Sequence, residues 1–432
     1  MSAEVIGIIG IVCLLVLLAA RMWIGLVMIV VGFVGIFFIK GLDHALLESR
    51  IVIWNNIAFY PMTVIPLFIL MGFVTSETGI GKDLYNTVYK WLGHLRGGLA
   101  IATTGACAML GAITGSSMSG ILIMSKVALP EMRKYGYDEK LSAACIAAGS
   151  TMGILIPPSM VFILYGIMTE LSIGKLFMAG LIPGILEAVF YMVTIYTMCR
   201  INPKLGPPGP KTGFKEKIVS LKGTWAMLTL FLIVMGGIYA GVFTPTEAGG
   251  VGAFGAILIT TISRKLSRRG LVNALREATI TTGMVLPMLV GVYFFMHFMA
   301  VSKLPFLLGE LVTTMQVPTI VIIIAIVVIY IVLGCFLPAI PSVLLTIPIL
   351  YPVILAAGLD PIWFGVIIVR MVEIGSITPP MGINVFVLCG ITGIPIGTLY
   401  RGIIPFVLAD FAHVALLIAV PAISLWLPSM ML

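Results

Sequence analysis

The sequence predicts an all-α polytopic membrane protein, organised as an inverted repeat with two re-entrant hairpins and two broken helices. Three observations support this fold class. The 432 residues are 60% hydrophobic and only 10% charged, which is more apolar than a water-soluble core requires. Apolar stretches long enough to cross ~30 Å of hydrocarbon recur from end to end. Two of these stretches are interrupted in the middle, and the two halves of the chain repeat one another.

The positive charge is concentrated between the apolar stretches, and the net charge is +8. The strongest cluster (199–223) is also rich in Pro and Gly, and a second (263–269) follows two spans later. Because cytoplasmic loops of membrane proteins carry an excess of Lys and Arg, both clusters are predicted to be cytoplasmic. The excess of positive charge therefore indicates how the protein is oriented in the membrane, and no nucleic-acid partner is expected. The six cysteines occur singly, without the spacing of a metal site or a disulfide framework.

The two interrupted stretches cover residues 97–130, with "TGSSMSG" in the middle, and 318–356, with "GCFLPAIPS". Each is too long for one crossing and too short for two crossings with a turn. Both are predicted to be re-entrant hairpins, whose tips need protein or a wet cavity around them. Basic residues flank the first hairpin, whereas Lys303, Glu310 and Asp360 bracket the second with little positive bias, so the two are predicted to enter from opposite sides.

A shift of 222 residues superposes "GILIPPSMVF" on "GSITPPMGIN". It aligns Pro157 with Pro379 and Pro158 with Pro380, and five further Pro, Gly and Asp positions fall in the same register. Each unit contains a span, a hairpin, a broken span and a span, and the two units are opposite in orientation. An inverted repeat of this kind is typical of secondary transporters.

These features predict a division of the chain into five parts. They are 1–59, scaffold helices and an interfacial helix; 60–200, the first repeat with hairpin 97–130 and broken helix 140–170; 201–222, a cytoplasmic linker; 223–280, scaffold helices and an interfacial helix; and 281–432, the second repeat with hairpin 318–356 and broken helix 361–391.

The paired prolines break a helix because they remove two backbone donors and disfavour the α conformation before them. The carbonyls of 153–156 and 375–378 are thereby predicted to be free for a hard cation such as sodium, which prefers several oxygen ligands. Hydroxyl groups are available nearby from Thr378 and from the serines of the first hairpin tip. Half-helix N-termini at Gly120 and at Ile383 are expected to attract an anion, typically a carboxylate.

Several ionisable residues occur inside apolar segments. Glu373 follows Arg370 by three residues and is predicted to form an ion pair with it. Glu187 and Asp410 are candidates for function because ionisable groups within membrane segments are costly. An intramembrane serine hydrolase would need a G-x-S-x-G motif and a partner histidine, and "GSSMSG" offers neither, so an enzyme is not expected.

The chain resembles the large membrane subunit of the tripartite ATP-independent periplasmic (TRAP) transporters over nearly its whole length. The resemblance is most specific at "GAITGSSMSG", "GILIPPSMVFILYGIMTELSIGKLFMAGLIPG", "FTPTEAG" and "EIGSITPPMGINVFV". It implies an elevator-type transporter, similar to the ion-transporter superfamily, in the bacterial inner membrane. In such a transporter sodium is the coupling ion and no other cofactor is needed. A periplasmic substrate-binding protein delivers an organic acid anion, and a small four-helix membrane subunit braces the scaffold.

The resemblance also implies site residues. A first sodium site would use Ser116, Ser117, Gly149, Ser150, Thr151 and Gly153, and a second would use Gly334, Gly375, Thr378 and Met381. Substrate-binding candidates are Ser119, Gly120, Pro158, Ile383 and Asn384. One position departs from the family: many members carry an acidic or amide residue after the leucine of the second tip, where this chain has Pro338.

Two other transport modes fit the same pattern. One is a stand-alone sodium- or proton-coupled symporter of divalent anions, which needs no binding protein. The other is a passive anion channel, which cannot concentrate its substrate. The sequence does not name the acid that is carried.

Overall fold

The computed structural model of the protein describes residues 2–314 and 317–431, so residues 1, 315, 316 and 432 of the predicted division lie outside it. The described chain is a succession of α-helices without strands. The helices of the first half are α1 (Ala3–Ala19), α2 (Ile24–Lys40), α3 (Leu42–Ile57), α4 (Val64–Ser76), α5 (Ile80–Leu92), α6 (Gly98–Thr114), α7 (Ser117–Lys134), α8 (Glu139–Leu155), α9 (Met160–Thr169) and α10 (Ile173–Ile201).

The second half follows the Pro- and Gly-rich linker. Its helices are α11 (Phe214–Tyr239), α12 (Pro245–Ile262), α13 (Arg268–Ser302), α14 (Leu304–Thr314), α15 (Thr319–Phe336), α16 (Ala339–Ala356), α17 (Pro361–Ile377), α18 (Ile383–Thr392), α19 (Ile396–Ala419) and α20 (Ala422–Ser429). Seven described segments are long and apolar enough to cross a membrane, and an eighth is added if the bent pair α3–α4 is one span. The protein is therefore an all-α polytopic membrane protein.

The interfacial helix predicted at the end of the part 223–280 is not a separate helix. It is continuous with the following span in α13, a single helix of 35 residues. In the first half, the corresponding chain is bent by 57° between α3 and α4, where Pro61 lies in a 3-10 turn. The segment 268–286 contains no proline, so no backbone donor is lost there and the helix can continue.

Both broken helices begin and end at positions related by the repeat. Asp138 caps α8 by accepting a hydrogen bond from the Lys140 amide at 2.7 Å, and Asp360 caps α17 by accepting one from the Ile362 amide at 2.8 Å. Each helix then stops just before its Pro-Pro pair. The local sequence therefore determines both the start and the end of each half-helix.

The two hairpins interlock with the two broken helices. The first arm of each hairpin packs on the broken helix of its own repeat, α6 on α8 and α15 on α17. The second arm packs both on the broken helix of its own repeat, α7 on α8 and α16 on α17, and on that of the other repeat, α7 on α18 and α16 on α9. The apolar core correspondingly forms two clusters, one around α2, α4, α9, α13 and α16–α17, the other around α5–α8, α18 and α19. Each hairpin tip is thus enclosed by protein from both halves.

Glycine pairs permit the closest of these contacts. A Cβ atom added at Gly111 of α6 would lie 2.3 Å from the Cα of Gly153 on α8. In the second repeat, a Cβ at Gly375 of α17 would lie 2.7 Å from the Cα of Gly334 on α15. Real Cβ atoms do not approach backbone this closely, so both helix pairs depend on glycine at the contact.

We expect Gly111→Ala to destabilise the protein by about 1–3 kcal/mol, because the added methyl group must push α6 away from α8. The measurement is thermal or denaturant unfolding of the purified protein in detergent. The matched control is Gly390→Ala on α18, where an added Cβ meets nothing within 4 Å and should be neutral or slightly stabilising. Equal stability of the two variants would contradict the close helix contact.

Candidate functional site

A cavity of about 320 Å³ lies where both hairpin tips and both broken helices converge. The first tip contributes residues 114–119, and the second contributes 338–341. α4 and α13 form the opposite wall with the residues Ile69, Gly72, Phe73, Thr281, Met284, Val285 and Met288. The cavity therefore lies between the interlocked helices on one side and α4 and α13 on the other.

The N-termini of four helices meet at this cavity. The first residues of α7, α9, α16 and α18, which are Ser117, Met160, Ala339 and Ile383, all line it. The caps of α16 and α18 make no side-chain hydrogen bond, which leaves their first N–H groups available. No charged side chain is found among the described lining residues. The helix ends thus supply partial positive charge to an otherwise neutral site.

Asn384 connects the two halves of the site. Its side chain is buried, with 2% exposed, and its Nδ2 donates to Ser376 Oγ at 3.0 Å. Its Oδ1 accepts from Ser117 Oγ at 3.5 Å. The amide therefore joins the first hairpin tip to the end of α17, and it also lines the cavity.

The predicted second sodium region lies at the end of α17. Thr378 Oγ1 donates to the Ile374 carbonyl at 2.6 Å, and the thiol of Cys335 donates to the Thr378 carbonyl at 3.5 Å. The Gly375 carbonyl is not free, as the sequence led us to expect, because it accepts from the Thr378 amide at 3.2 Å. In a continuous helix the Gly375 carbonyl would accept from the amide of residue 379. Pro379 has no N–H, so the Thr378 amide bonds this carbonyl instead. The residue four positions after Ser376 is Pro380, which also has no N–H to donate to the Ser376 carbonyl.

The predicted first sodium region is buried in α8. Gly149, Ser150, Thr151 and Gly153 are all buried there. Ser150 Oγ lies 3.7 Å from the thiol of Cys107, and Thr151 Oγ1 donates to the Ala148 carbonyl at 2.6 Å. At the neighbouring tip, Ser116 caps α7 by accepting from the Ser119 amide at 3.5 Å.

The structure places some predicted residues together and others apart. Five of them line the cavity: Ser116, Ser117, Ser119, Ile383 and Asn384. The other ten predicted residues do not line it, and three of these lie apart from both proposed sodium regions or are held by other contacts. Gly120 packs against Ser150, Pro158 is buried beside Gly115, and Met381 is 45% exposed with its carbonyl bonded to the Tyr400 hydroxyl.

Sequence reasoning missed Ser376, which both lines the cavity and bonds Asn384. Its position two residues before Thr378 in the same motif was the available signal. The wall formed by α4 and α13 was also missed, because nothing in the local sequence shows which face of a span meets the hairpin tips.

Comparison with known proteins agrees with this architecture. The family model of the tripartite ATP-independent periplasmic transporter, DctM component, matches residues 11–423. The chain belongs to this family of TRAP transporter large permeases. Two solved transporter structures share the fold. YdaH of Alcanivorax borkumensis superposes with a TM-score of 0.61 and 17% identity, covering 90% of this chain and 89% of that one. MtrF of Neisseria gonorrhoeae superposes with a TM-score of 0.54 and 15% identity, covering 89% of this chain and 85% of that one.

Several relatives are similar over most of their length. The C4-dicarboxylate TRAP transporter large permease protein DctM of Pseudomonas aeruginosa is 34% identical over 372 residues, which are 86% of each chain. The sialic acid large permease SiaM of Vibrio cholerae is 32% identical over 374 residues, 86% of this chain and 87% of that one. The ectoine large permease TeaC of Halomonas elongata is 32% identical over 367 residues, 85% and 86% of the two chains.

We expect Asn384 and Ser376 to be energetically coupled. Asn384→Ala and Ser376→Ala should each destabilise the protein, and the double variant should cost less than their sum by about 0.5–1.5 kcal/mol, because both single changes remove the same hydrogen bond. The measurement is a double-mutant cycle on unfolding in detergent. As a control, Asn384→Ala combined with Thr392→Ala should be additive, since the Thr392 hydroxyl donates to the Leu388 carbonyl and accepts from the Ile394 amide, both at the far end of α18. Additivity in both cycles would contradict the bridging role.

Proposed function

We propose that this protein carries an organic acid anion into the cell as the large membrane subunit of a sodium-driven tripartite transporter of the bacterial inner membrane. The observation that carries this proposal is the convergence of four helix N-termini on a cavity without charged side chains. Such a site suits a carboxylate, which can accept hydrogen bonds from backbone N–H groups and interact with the positive ends of the helices. Two relatives are named for carboxylate-bearing substrates, a C4-dicarboxylate and sialic acid.

The absence of a fixed cation among the described lining residues is an argument for a coupling ion. A bound sodium ion beside the cavity would add the positive charge that the site itself lacks, and it would make anion binding depend on sodium. Oxygen atoms for such an ion are available where the Pro-Pro pairs remove helical donors, with Thr378 the best-placed hydroxyl in the second repeat. Its oxygen donates one hydrogen bond and keeps its lone pairs for a cation.

The packing supports an elevator movement. The hairpins and broken helices contact one another across the repeat boundary and form one body, whereas α4 and α13 contribute the other wall of the cavity. A rigid displacement of the interlocked body past that wall would carry the site across the membrane without unfolding either tip. The partners we propose are a small four-helix membrane subunit and a periplasmic substrate-binding protein, in line with the tripartite family.

We expect Thr378→Ala to raise the sodium concentration for half-maximal uptake about fivefold, which corresponds to the loss of roughly 1 kcal/mol from one oxygen ligand. The matched control is Thr392→Ala, because Thr392 makes the same type of hydrogen bond to the preceding turn but lies at the far end of α18. Uptake is measured in proteoliposomes over a range of sodium concentrations. If the sodium dependence of uptake is unchanged in Thr378→Ala, Thr378 is not a ligand of the ion.

The function itself is tested by uptake of radiolabelled organic acids into liposomes that contain this chain and its small subunit. An inward sodium gradient is applied with and without the cognate binding protein. We expect accumulation only when both are present. Accumulation with an ion gradient alone would favour the stand-alone sodium- or proton-coupled symporter, and equilibration without any gradient would favour a channel.

A further inference from the structure

A second cavity, of about 330 Å³, lies between α5 and the second arm of the first hairpin, α7, and the transport proposal above does not use it. The two helices touch at Gly81, where an added Cβ would lie 2.3 Å from Ile123 Cγ2, and the cavity lies beyond this contact. Its polar lining is one face of each helix: Lys82, Tyr85, Asn86 and Tyr89 of α5, and Lys126 and Glu131 of α7.

The Tyr85 hydroxyl in this cavity has no hydrogen-bond partner. The residue is only 4% exposed, and its ring stacks on that of Tyr89 with the centroids 6.3 Å apart. No described residue accepts from or donates to its hydroxyl oxygen. Because buried hydroxyl groups are normally hydrogen-bonded, and a tyrosine hydroxyl can donate, this part of the cavity lacks an acceptor atom.

The charges that line the cavity are also unpaired. Neither Lys82 nor Lys126 forms an ion pair with any described residue, and the same holds for Glu131. On another face of α5, by contrast, Asp83 is paired with Lys265. Two lysines and one glutamate give the lining a net charge of +1. The missing acceptor and the positive charge together fit an anion with several oxygen atoms.

The second repeat shows that packing does not require these polar groups. A cavity of about 360 Å³ lies between α14 and α16, the helices that the 222-residue shift relates to α5 and α7. Pro130 and its counterpart Pro352 line the two cavities. At the positions of Tyr85 and Lys126, however, the second repeat has Leu307 and Pro348. Since leucine and proline suffice for the fold there, the polar lining of the first cavity indicates a ligand.

The cavity lies on the side of the linker 201–222, which the positive charge predicts to be cytoplasmic. The Trp91 indole of α5 donates to the Lys217 carbonyl at 3.2 Å, and the Gly97 amide donates to the Gly206 carbonyl at 3.0 Å. Along α7, Lys126 follows Ser117 of the tip by nine residues, which is about 13–14 Å. Half of the hydrocarbon thickness is about 15 Å, so a tip near the middle of the membrane places Lys126 at the level of the lipid headgroups.

We propose that this cavity is a binding site for a phosphate group. Phosphate oxygens accept hydrogen bonds from ammonium and hydroxyl groups, so they can satisfy both lysines and Tyr85 at once. A phosphate diester carries one negative charge, which balances the net charge of the lining, whereas free phosphate carries more at neutral pH. The charge and the position at headgroup level therefore favour a phospholipid as the source. A phosphate held there connects α5 to the hairpin arm whose tip lines the candidate site.

The test uses the full chain, purified in neutral detergent with its small subunit. Thermal unfolding is followed over a range of concentrations of short-chain phosphatidylglycerol or of inorganic phosphate, because a ligand of the folded state raises the unfolding midpoint. We expect phosphatidylglycerol to stabilise the protein. Lys82→Gln combined with Lys126→Gln should raise the lipid concentration for half-maximal stabilisation about thirtyfold. Tyr85→Phe should raise it about fivefold.

The matched control is Lys215→Gln combined with Lys222→Gln. These lysines are exposed on α11, near the same side of the membrane, and do not line the cavity. The control removes the same charge and should respond to the lipid as the unmodified protein does. A structural role for the Tyr85 hydroxyl is tested separately: without ligand, Tyr85→Phe should be at least as stable as the unmodified protein, because it removes an unpaired buried hydroxyl.

The two ligands distinguish the sources of the phosphate. A response to phosphatidylglycerol that the cavity variants weaken, and the control does not, supports the site with a lipid as its source. The same pattern with inorganic phosphate alone supports the site with a soluble source. The proposal is overturned if neither ligand stabilises the unmodified protein, or if the cavity variants respond to both ligands as the control does.

Discussion

The structure depends on one constraint: a backbone that leaves the helical hydrogen-bond pattern at membrane depth must be enclosed by protein or a wet cavity. Within residues 2–314 and 317–431 the helical pattern is interrupted at two hairpin tips and two Pro-Pro breaks that pack against one another. Each hairpin is held by the broken helices of both repeats, so no irregular segment depends on its own half alone. The glycine contacts at Gly111–Gly153 and Gly334–Gly375 bring the helices of this enclosure into close backbone contact.

The same enclosure creates the site. Interrupting a helix produces a new N-terminus, and four such termini are directed to one cavity by the interlocked packing. The helix N-termini can thus attract an anion although the lining has no arginine or lysine. A buried arginine or lysine would carry a large desolvation cost. The departure at Pro338 fits this arrangement: the second tip contributes a helix end and backbone groups, not an acidic or amide side chain.

The protein separates buried charges from the candidate site. Arg370 contacts three acids, Glu187, Glu373 and Asp410, one to two turns behind the end of α17, in the contact between α10, α17 and α19. α10 and α19 are related by the repeat, and Arg370 of α17 contacts acids on both. These contacts connect helices of both repeats. Because buried charges are costly without partners, the cluster also requires its charges to be compensated within the protein.

The sequence by itself determined the class, the hairpins, the Pro-Pro breaks and the caps at Asp138 and Asp360. These features follow from hydropathy and from local backbone chemistry, which act within a few residues. It also identified the Arg370–Glu373 pair, since three residues along a helix bring two side chains to one face. Only the tertiary structure decided that Glu187, 183 residues away, meets the same guanidinium, and that Ser376 faces the cavity whereas Gly120 is buried. Such contacts are set by how whole helices pack across the repeat boundary, and no local rule carries that information.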